Sequence, residues 1–214
     1  MAHSKQSKRT RATAIVKRLA KEYPDATTAL DHVDAYQLLV ATILSAQCTD
    51  ERVNQVTKVL FDRAPDAVRL HAMPVEEVET IIRSTGFYRN KAKSLKGTAK
   101  MLVETFDGRV PESMDALLRL PGVARKTANV VLGSAFGKAV GVVVDTHVRR
   151  VSGRLGLTEQ QNPVKIEADL MDLLPRQEWI VFSHRLVWHG RRICKARKPR
   201  CDDCILADLC PSRS

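Results

Sequence analysis

The stretch Leu120–Ala128, LPGVARKTA, decides the fold because it joins two helical segments through a very short turn. Apolar residues at helical spacing predict helices over Ser113–Leu120 and Lys126–Phe136. Pro121 and Gly122 make the bend, and the backbone N–H groups at the start of the second helix can bind an anion. Most Pro-Gly turns between helices are simple connections, so the motif gains meaning only from its neighbours.

Helical spacing of apolar residues continues along the chain, whereas alternation of period two is nearly absent. We therefore expect an all-α protein of about eight to ten helices. The β-branched run Val140–Val144 is compatible with either a strand or a buried loop. Further helices are predicted over Ala35–Gln47, from Thr49 or Asp50 to Leu60, from Pro74 to Gly86, over Lys91–Phe106, over Pro163–Leu174 and over Gln177–Trp188.

The charge balance indicates a polyanion as partner. Lys and Arg number 35 against 24 Asp and Glu, which gives a net charge of +11. Such an excess is typical of nucleic-acid-binding proteins, although many basic proteins bind nothing specific. With 214 residues, 44% of them apolar, the chain can bury one or two cores.

The N-terminal segment, residues 1–12, carries Lys5, Lys8, Arg9 and Arg11, and no apolar segment follows it. A secretory signal needs such a segment, so we expect a protein that stays inside the cell. No uninterrupted apolar run reaches the roughly 18 residues that span a bilayer, so no membrane partner is expected. The polar terminus is expected to be solvated and disordered.

Four of the five cysteines, Cys194, Cys201, Cys204 and Cys210, lie close together with the spacing C-x6-C-x2-C-x5-C. Thiolates are soft ligands, and four in one short segment suit either tetrahedral zinc or an iron–sulfur cluster. Zinc sites usually use two tight cysteine pairs, so the single CxxC with longer arms favours the cluster, with zinc as the alternative. Disulfides are not expected in a reducing compartment.

Four cations, Lys195, Arg197, Lys198 and Arg200, lie between the first two of these cysteines. A loop held at both ends by a metal centre would present these side chains to DNA phosphates. The same charges would also offset the negative charge of a thiolate-ligated centre, and the two roles are compatible. We therefore assign the loop to DNA binding as well as to the metal site.

Taken together, these motifs resemble the endonuclease III family of base-excision glycosylases. The resemblance implies a helix-hairpin-helix DNA glycosylase fold with a [4Fe-4S] cluster. A cleft would separate a six-helix barrel domain, residues 26–138, from an iron–sulfur cluster domain, residues 1–25 and 139–214. The motifs that carry it are LSAQCTD at Leu44–Asp50, GFYRNKA at Gly86–Ala92, LPGVARKTANVVL at Leu120–Leu132, VDTHVRR at Val144–Arg150 and HGRRICKARKPRCDDC at His189–Cys204.

The resemblance implies that Lys126 and Asp145 are the catalytic pair. An amine attacks a sugar carbon only when it is unprotonated, and a helix N-terminus together with partial burial favours that state in a lysine. Asp145 would stabilise the positive charge that develops on the sugar. Without the resemblance, the residues alone would favour phosphate binding for Lys126 and a helix N-cap role for Asp145.

An enzyme of this kind must rotate its target nucleotide out of the duplex and fill the gap. The resemblance points to Gln47 and to Phe87 as the residues that fill it. The family usually has leucine at the second position, and an aromatic ring could stack on the estranged base instead.

The hairpin residues Gly122, Ala124 and Arg125 are expected to contact DNA. Ala124 stands where the family commonly has glycine, which reduces the freedom for positive φ and close phosphate approach. His147 is a further candidate for a phosphate contact or for orienting Asp145, and a structural hydrogen-bonding role is the alternative.

The sequence thus predicts a bifunctional enzyme that acts as a monomer on double-stranded DNA containing damaged bases or abasic sites. It would remove oxidised pyrimidines and cleave the abasic strand by β-elimination through a Schiff base on Lys126, in the cytoplasm at the nucleoid. The alternatives are a glycosylase for adenine mispairs, against which the hairpin lysine argues, and a non-catalytic, metal-stabilised helix-hairpin-helix DNA-binding module.

Overall fold

The computed structural model describes the backbone of residues 2–213 and the side chains of residues 8–213. Within this part of the chain all regular structure is helical and no β-strand is present, which confirms the predicted all-α class. None of these helices is both long and apolar enough to cross a lipid bilayer.

Eleven α-helices and three 3-10 helices make up the described chain, one α-helix more than the largest number predicted. The α-helices are α1 Ala2–Glu22, α2 Ala35–Leu44, α3 Asp50–Arg63, α4 Ala67–Ala72, α5 Val75–Ile82, α6 Tyr88–Phe106, α7 Met114–Leu118, α8 Arg125–Phe136, α9 Thr146–Arg154, α10 Pro163–Leu173 and α11 Trp179–Arg192. The 3-10 helices are Arg83–Thr85, Arg176–Glu178 and Ala207–Leu209.

The chain divides into two compact units, Thr28–Lys138 and a discontinuous unit made of Met1–Thr27 with Ala139–Ser214. In the Thr28–Lys138 unit, α2 is predominantly apolar, has eight buried residues and packs against α3, α6 and α8. A helix without a polar face must be buried on every side, so α2 forms the centre of this core. The helix α6 also packs against α4 and α5, and α7 packs against α8.

The discontinuous unit is built on α11, which packs against α9 and α1, while α1 also contacts α10. Its core includes Ile15 and Leu19 from α1, Val151 from α9 and Phe182 from α11, all fully buried. The first helix of the chain is therefore an integral part of the unit that contains the C-terminal cysteines.

Several predicted helix starts are confirmed in detail. Thr49 caps α3 by accepting a hydrogen bond from the Arg52 N–H at 3.3 Å, and Ser113 caps α7 in the same way. Pro163 occupies the first turn of α10, where proline's missing N–H costs nothing. Side-chain capping and proline placement are local signals, which is why they can be read from sequence.

The expectation of a disordered N-terminal segment is wrong for residues 8–12. The Lys8 amine lies 3.1 Å from Glu159, Arg9 pairs with Asp172 at 3.2 Å, and Ala12 is fully buried in α1. Lys5, a further cation of that segment, lies outside the residues whose side chains are described. Apolar residues every three or four positions from Ala12 onward explain why the segment folds.

The run Val140–Val144 is a buried loop rather than a strand. Val142 and Val144 are buried in the core of the discontinuous unit, and the chain there is not paired with another strand in the described residues. β-branched side chains fit a buried loop as well as a sheet, so five residues could not decide between them.

Lys96 holds the end of α4 in place. Its amine donates hydrogen bonds to the backbone carbonyls of Leu70, at 3.0 Å, of His71 and of Met73. These carbonyls have no partner within a helix that ends here, and burial of the Lys96 amine lowers its pKa.

Replacing Lys96 with methionine keeps the length of the side chain but removes the donor. We expect Lys96→Met to lower the free energy of unfolding by about 1–3 kcal/mol, because three carbonyls at the end of α4 lose their partner. Urea denaturation followed by circular dichroism measures the change, and a variant as stable as the wild type would contradict this role.

Candidate active site and cluster site

The hairpin turn between α7 and α8 is fixed by packing against α6. The Val123 N–H donates to the Leu120 carbonyl at 3.1 Å, and the Thr98 hydroxyl donates to the Pro121 carbonyl at 2.7 Å. Gly122 has φ 78°, and a Cβ there would lie 2.7 Å from the Cβ of Ser94. Both the positive φ and the close approach require glycine, so Gly122 has a structural role whatever it contacts in DNA.

The N-terminus of α8 is arranged to accept an anion. Its N-cap, Ala124, has no side-chain acceptor for the N–H groups of the first turn, and that turn contains Arg125 and Lys126 but no acidic residue. Ala124 has φ −96°, so the alanine is unstrained and the concern about losing positive φ at this position is wrong. N–H donors and the helix dipole together favour a phosphate here.

Lys126 is the second residue of α8 and is exposed to solvent. Its place at a helix N-terminus agrees with the sequence, whereas the expected partial burial is wrong for the free protein. The reason is the phase of the helix, which directs Ala128 and Asn129 into the core instead.

Asp145, in the discontinuous unit, is the N-cap of α9. Its carboxylate accepts a hydrogen bond from the Val148 N–H at 2.7 Å, and the residue is half-buried. The buried Val144 fixes the chain immediately before it. The N-cap role considered from sequence is therefore real, and it holds the carboxylate in one orientation.

His147 is engaged in the packing of α9 on α11. Its Nδ1 lies 3.2 Å from an amino nitrogen of Arg150, which itself donates to the carbonyls of Gly190 and Cys194 at 2.9 and 3.1 Å. A Cβ at Gly190 would lie 3.1 Å from both side chains. The structural alternative for His147 thus has direct support, and a DNA contact remains a prediction.

The four C-terminal cysteines line one pocket in the discontinuous unit, and all four are free thiols. Burial raises the pKa of the Cys204 thiol, and the charges of Cys194, Cys210 and Cys201 raise it further. Four thiolates at this spacing would repel one another unless a positively charged centre lay between them.

The chemistry of these donors fits an iron–sulfur cluster. Within residues 8–213 no three His, Cys, Asp or Glu side chains are grouped as ligands of a single metal ion. The thiols instead surround a pocket, whereas zinc needs sulfur atoms about 2.3 Å from one point. Four cysteine thiols that line one pocket are the donor set that holds an iron–sulfur cluster.

Two side chains that sequence reasoning missed, Arg154 and His189, support the cysteines. Arg154 donates to the Cys194 sulfur at 3.3 Å and to the carbonyls of Lys195 and Ala196 at 2.8 and 3.0 Å. His189 Nε2 lies 3.5 Å from the Cys204 sulfur. Such hydrogen bonds to ligand sulfur orient the ligand and tune the metal centre.

His189 is buried, and burial lowers its pKa to about 4. The neutral ring carries one N–H, which one of its two partners accepts: the Cys204 sulfur or the Tyr23 hydroxyl, 3.2 Å from Nδ1. The position of His189 in HGRRIC, five residues before Cys194, was the available sequence signal.

The loop between Cys194 and Cys201 exposes all four of its cations. Lys198 adopts a left-handed backbone with φ 51°, and the guanidinium of Arg200 is paired with Asp203 at 2.6 Å. Lys195 and Arg197 complete the exposed set. The loop presents positive charge over a short distance, as a phosphate contact requires.

The two residues predicted to fill the gap in DNA share an unusual backbone. Gln47 has φ 54° and Phe87 has φ 48°, and both side chains are exposed, with Phe87 at 65%. A left-handed backbone is unfavourable in free energy for non-glycine residues. Exposure of an aromatic ring to solvent adds a second unfavourable contribution at Phe87. Strain of this kind is concentrated at functional sites.

Comparison with known proteins supports the same interpretation. The model of the HhH-GPD superfamily of base excision DNA repair proteins matches residues 40–176. An endonuclease III from Synechocystis sp. is 59% identical over 206 residues, which cover 96% of this chain and 94% of that protein. The chain belongs to the endonuclease III family. It is thereby a base-excision-repair enzyme of the DNA glycosylase and AP lyase class.

Solved structures of endonuclease III agree with the fold. A non-covalent endonuclease III–DNA complex superposes with a TM-score of 0.91 at 43% identity, covering 95% of each chain. A trapped endonuclease III–DNA covalent intermediate with an estranged adenine gives 0.90 at 43% identity, covering 95% of this chain and 96% of that one. The helix-hairpin-helix glycosylase fold is confirmed.

The model of the iron–sulfur binding domain of endonuclease III matches residues 194–210, the segment that contains all four clustered cysteines. The [4Fe-4S] cofactor predicted from sequence is confirmed, and the zinc alternative is set aside. Arg154, from α9, lies outside this segment and still contacts it.

Purified protein should absorb strongly in the visible range because of its cluster. We expect Cys204→Ala to lose this absorbance, since one of four thiolates is removed. Cys48→Ala is the matched control, because Cys48 belongs to the other unit, and it should keep the full absorbance. Equal absorbance in both variants would exclude Cys204 as a ligand.

Proposed function

We propose that this chain removes oxidised pyrimidines from double-stranded DNA and then cleaves the abasic strand by β-elimination. Lys126 is the nucleophile and Asp145 its electrostatic partner. The observation that carries the proposal is an exposed amine in the first turn of an uncapped helix, in an enzyme of the endonuclease III family. One solved structure of an endonuclease III contains a trapped covalent intermediate with DNA.

The proposed reaction needs a neutral amine at Lys126. Its nitrogen attacks the anomeric carbon of the sugar, and the base leaves with the electron pair of the glycosidic bond and takes up a proton. The attached nitrogen loses a proton, and the bond between the sugar carbon and the ring oxygen breaks, with that oxygen taking up a proton. The amine nitrogen and the sugar carbon then share a protonated Schiff base. Loss of a proton from the adjacent carbon and departure of the 3′ phosphate break the strand.

Because Lys126 is exposed in the free protein, its amine would be desolvated only when DNA binds. A nucleotide drawn over it would displace water, and the N-terminus of α8 is an unfavourable place for a desolvated cation. The DNA itself would thus complete the environment in which the amine reacts. No buried catalytic lysine is needed beforehand.

Asp145 contributes a carboxylate whose direction is set before DNA arrives. Because the Val148 N–H already holds it at 2.7 Å, little reorganisation is needed when positive charge develops on the sugar.

The DNA grip we propose has three parts. The hairpin at Gly122, Ala124 and Arg125 binds a phosphate through backbone N–H groups and positive charge. Gln47 and Phe87 fill the space left by the extruded nucleotide. The third part is the exposed cationic loop with Lys195, Arg197, Lys198 and Arg200, together with His147.

We assign the Thr28–Lys138 unit as the helix-hairpin-helix domain and the discontinuous unit as the cluster domain. Within the latter, Cys194, Cys201, Cys204 and Cys210 would hold the cluster, which gives the cationic loop a fixed end. The protein would act as a monomer at the nucleoid, on duplexes that contain damaged bases or abasic sites.

Borohydride reduction tests the Schiff base directly. With abasic-site DNA, we expect the wild type to form a covalent protein–DNA adduct and Lys126→Ala to form none, because no other amine replaces the nucleophile. Lys138→Ala is the control, since Lys138 follows the other end of α8 and pairs with Glu112 at 2.9 Å. An adduct in Lys126→Ala at the wild-type level would refute the assignment.

Asparagine at position 145 separates capping from catalysis, because it caps a helix about as well as aspartate. We expect the free energy of unfolding of Asp145→Asn to lie within about 0.5 kcal/mol of that of the wild type. Single-turnover excision of an oxidised pyrimidine should nevertheless fall roughly 100-fold or more, since the fixed negative charge is lost. Asp145→Ala should lose both stability and excision activity. Excision at the wild-type rate by Asp145→Asn would contradict the catalytic role and leave Asp145 with the helix-capping role alone.

A further inference from the structure

The turn that presents Phe87 has positive φ at two successive residues, and the second of them is not a glycine. Gly86 has φ 70° and ψ 156°, and Phe87 follows with φ 48°, directly before α6 begins at Tyr88. A phenylalanine does not adopt this backbone without support, because left-handed conformations are unfavourable for bulky side chains. Something in the surrounding structure must hold the turn.

Lys91, in the first turn of α6, is attached to both ends of this turn. Its amine donates a 2.7 Å hydrogen bond to the carbonyl of Thr85, and its backbone N–H donates to the carbonyl of Phe87 at 3.1 Å. Lys91 is only 6% exposed, which is unusual for a lysine. Thr85 is buried as well, and its hydroxyl donates to the Ile82 carbonyl at 2.8 Å.

The Lys91 amine also lies within electrostatic range of Cys48, next to Gln47. Burial lowers the pKa of Lys91, and the charge of Cys48 acts in the opposite direction, so the two side chains are within electrostatic range. Cys48 directly follows Gln47, whose φ is 54°.

We infer that Lys91 is a positioning residue: its amine holds the Thr85 carbonyl and thereby keeps the Phe87 turn in the conformation that exposes the aromatic ring. The inference rests on the proposed function of Phe87 in filling the gap in DNA. Lys91 itself contacts no DNA in this scheme. Its effect on catalysis passes through the population of the correct Phe87 conformation.

A methionine at position 91 would fill a similar volume and leave the Thr85 carbonyl without its donor. The turn could then relax to ordinary backbone angles, and the competent conformation would become a minority. The apparent affinity for a lesion falls in proportion to the fraction of molecules that remain in the competent conformation. We estimate this decrease in affinity at about tenfold.

The test compares Lys91→Met, Phe87→Ala and the double variant in full-length protein with its cluster. We expect each single variant to lower kcat/KM for an oxidised-pyrimidine duplex about tenfold, and the double variant to be no worse than Phe87→Ala. The fluorescence of 2-aminopurine placed opposite the lesion changes when the enzyme fills the gap. This enzyme-induced change in fluorescence should be smaller in the same three variants.

Lys96→Met is the matched control. It removes another inward-pointing lysine of α6 that donates to backbone carbonyls, but those carbonyls lie at the end of α4. We expect this variant to lose stability while keeping kcat/KM and the 2-aminopurine signal. Lys91→Arg, which retains a donor and a charge, should recover part of the activity that Lys91→Met loses.

The outcomes separate the inference from the proposed function. Wild-type kcat/KM in Phe87→Ala would remove the gap-filling role of Phe87 and the inference with it. A defect in Phe87→Ala that is absent from Lys91→Met, or defects that multiply in the double variant, would overturn the inference alone. If Lys91→Met does not fold, Lys91→Gln replaces it under the same criteria.

Discussion

The approach of Gly122 to Ser94 is the constraint on which the DNA-binding half of the molecule depends. A single added carbon at position 122 would lie 2.7 Å from Ser94 and displace the hairpin from α6. The hairpin determines where α8 begins, and the start of α8 determines where Lys126 and the N–H groups of the first turn lie. A packing contact between two small residues thus controls the position of Lys126, the proposed nucleophile.

The discontinuous unit solves a different problem, which is to fix a loop of cations near a group of thiols. Arg150 and Arg154 reach from α9 to carbonyls at the start of the loop, where a helix ends and backbone acceptors need partners. Their charge also lies beside sulfur atoms that would carry negative charge. The same helix begins at Asp145, so α9 connects the proposed catalytic carboxylate to the cluster site.

Most helices and the clustered cysteines could be predicted because their signals are local: apolar spacing, caps and short cysteine intervals. Lys91 and Arg154 could not be found in this way, since their partners are backbone carbonyls that no residue type reveals. The exposure of Lys126 could not be predicted either, because it depends on which face of α8 packs into the core. The resemblance to a family supplied Lys126 and Asp145 as a pair, which spacing alone would not have done.

The discontinuity of the cluster-bearing unit has a consequence for synthesis. The helix α1 leaves the ribosome before the Thr28–Lys138 unit, yet its partners α10, α11 and Asp208, which pairs with Arg18, are made after that unit. The Thr28–Lys138 unit is continuous and can fold while the chain is still growing. The nascent α1 must therefore wait, with an unburied apolar face, until the final segment emerges, and this interval is when a chaperone would matter most.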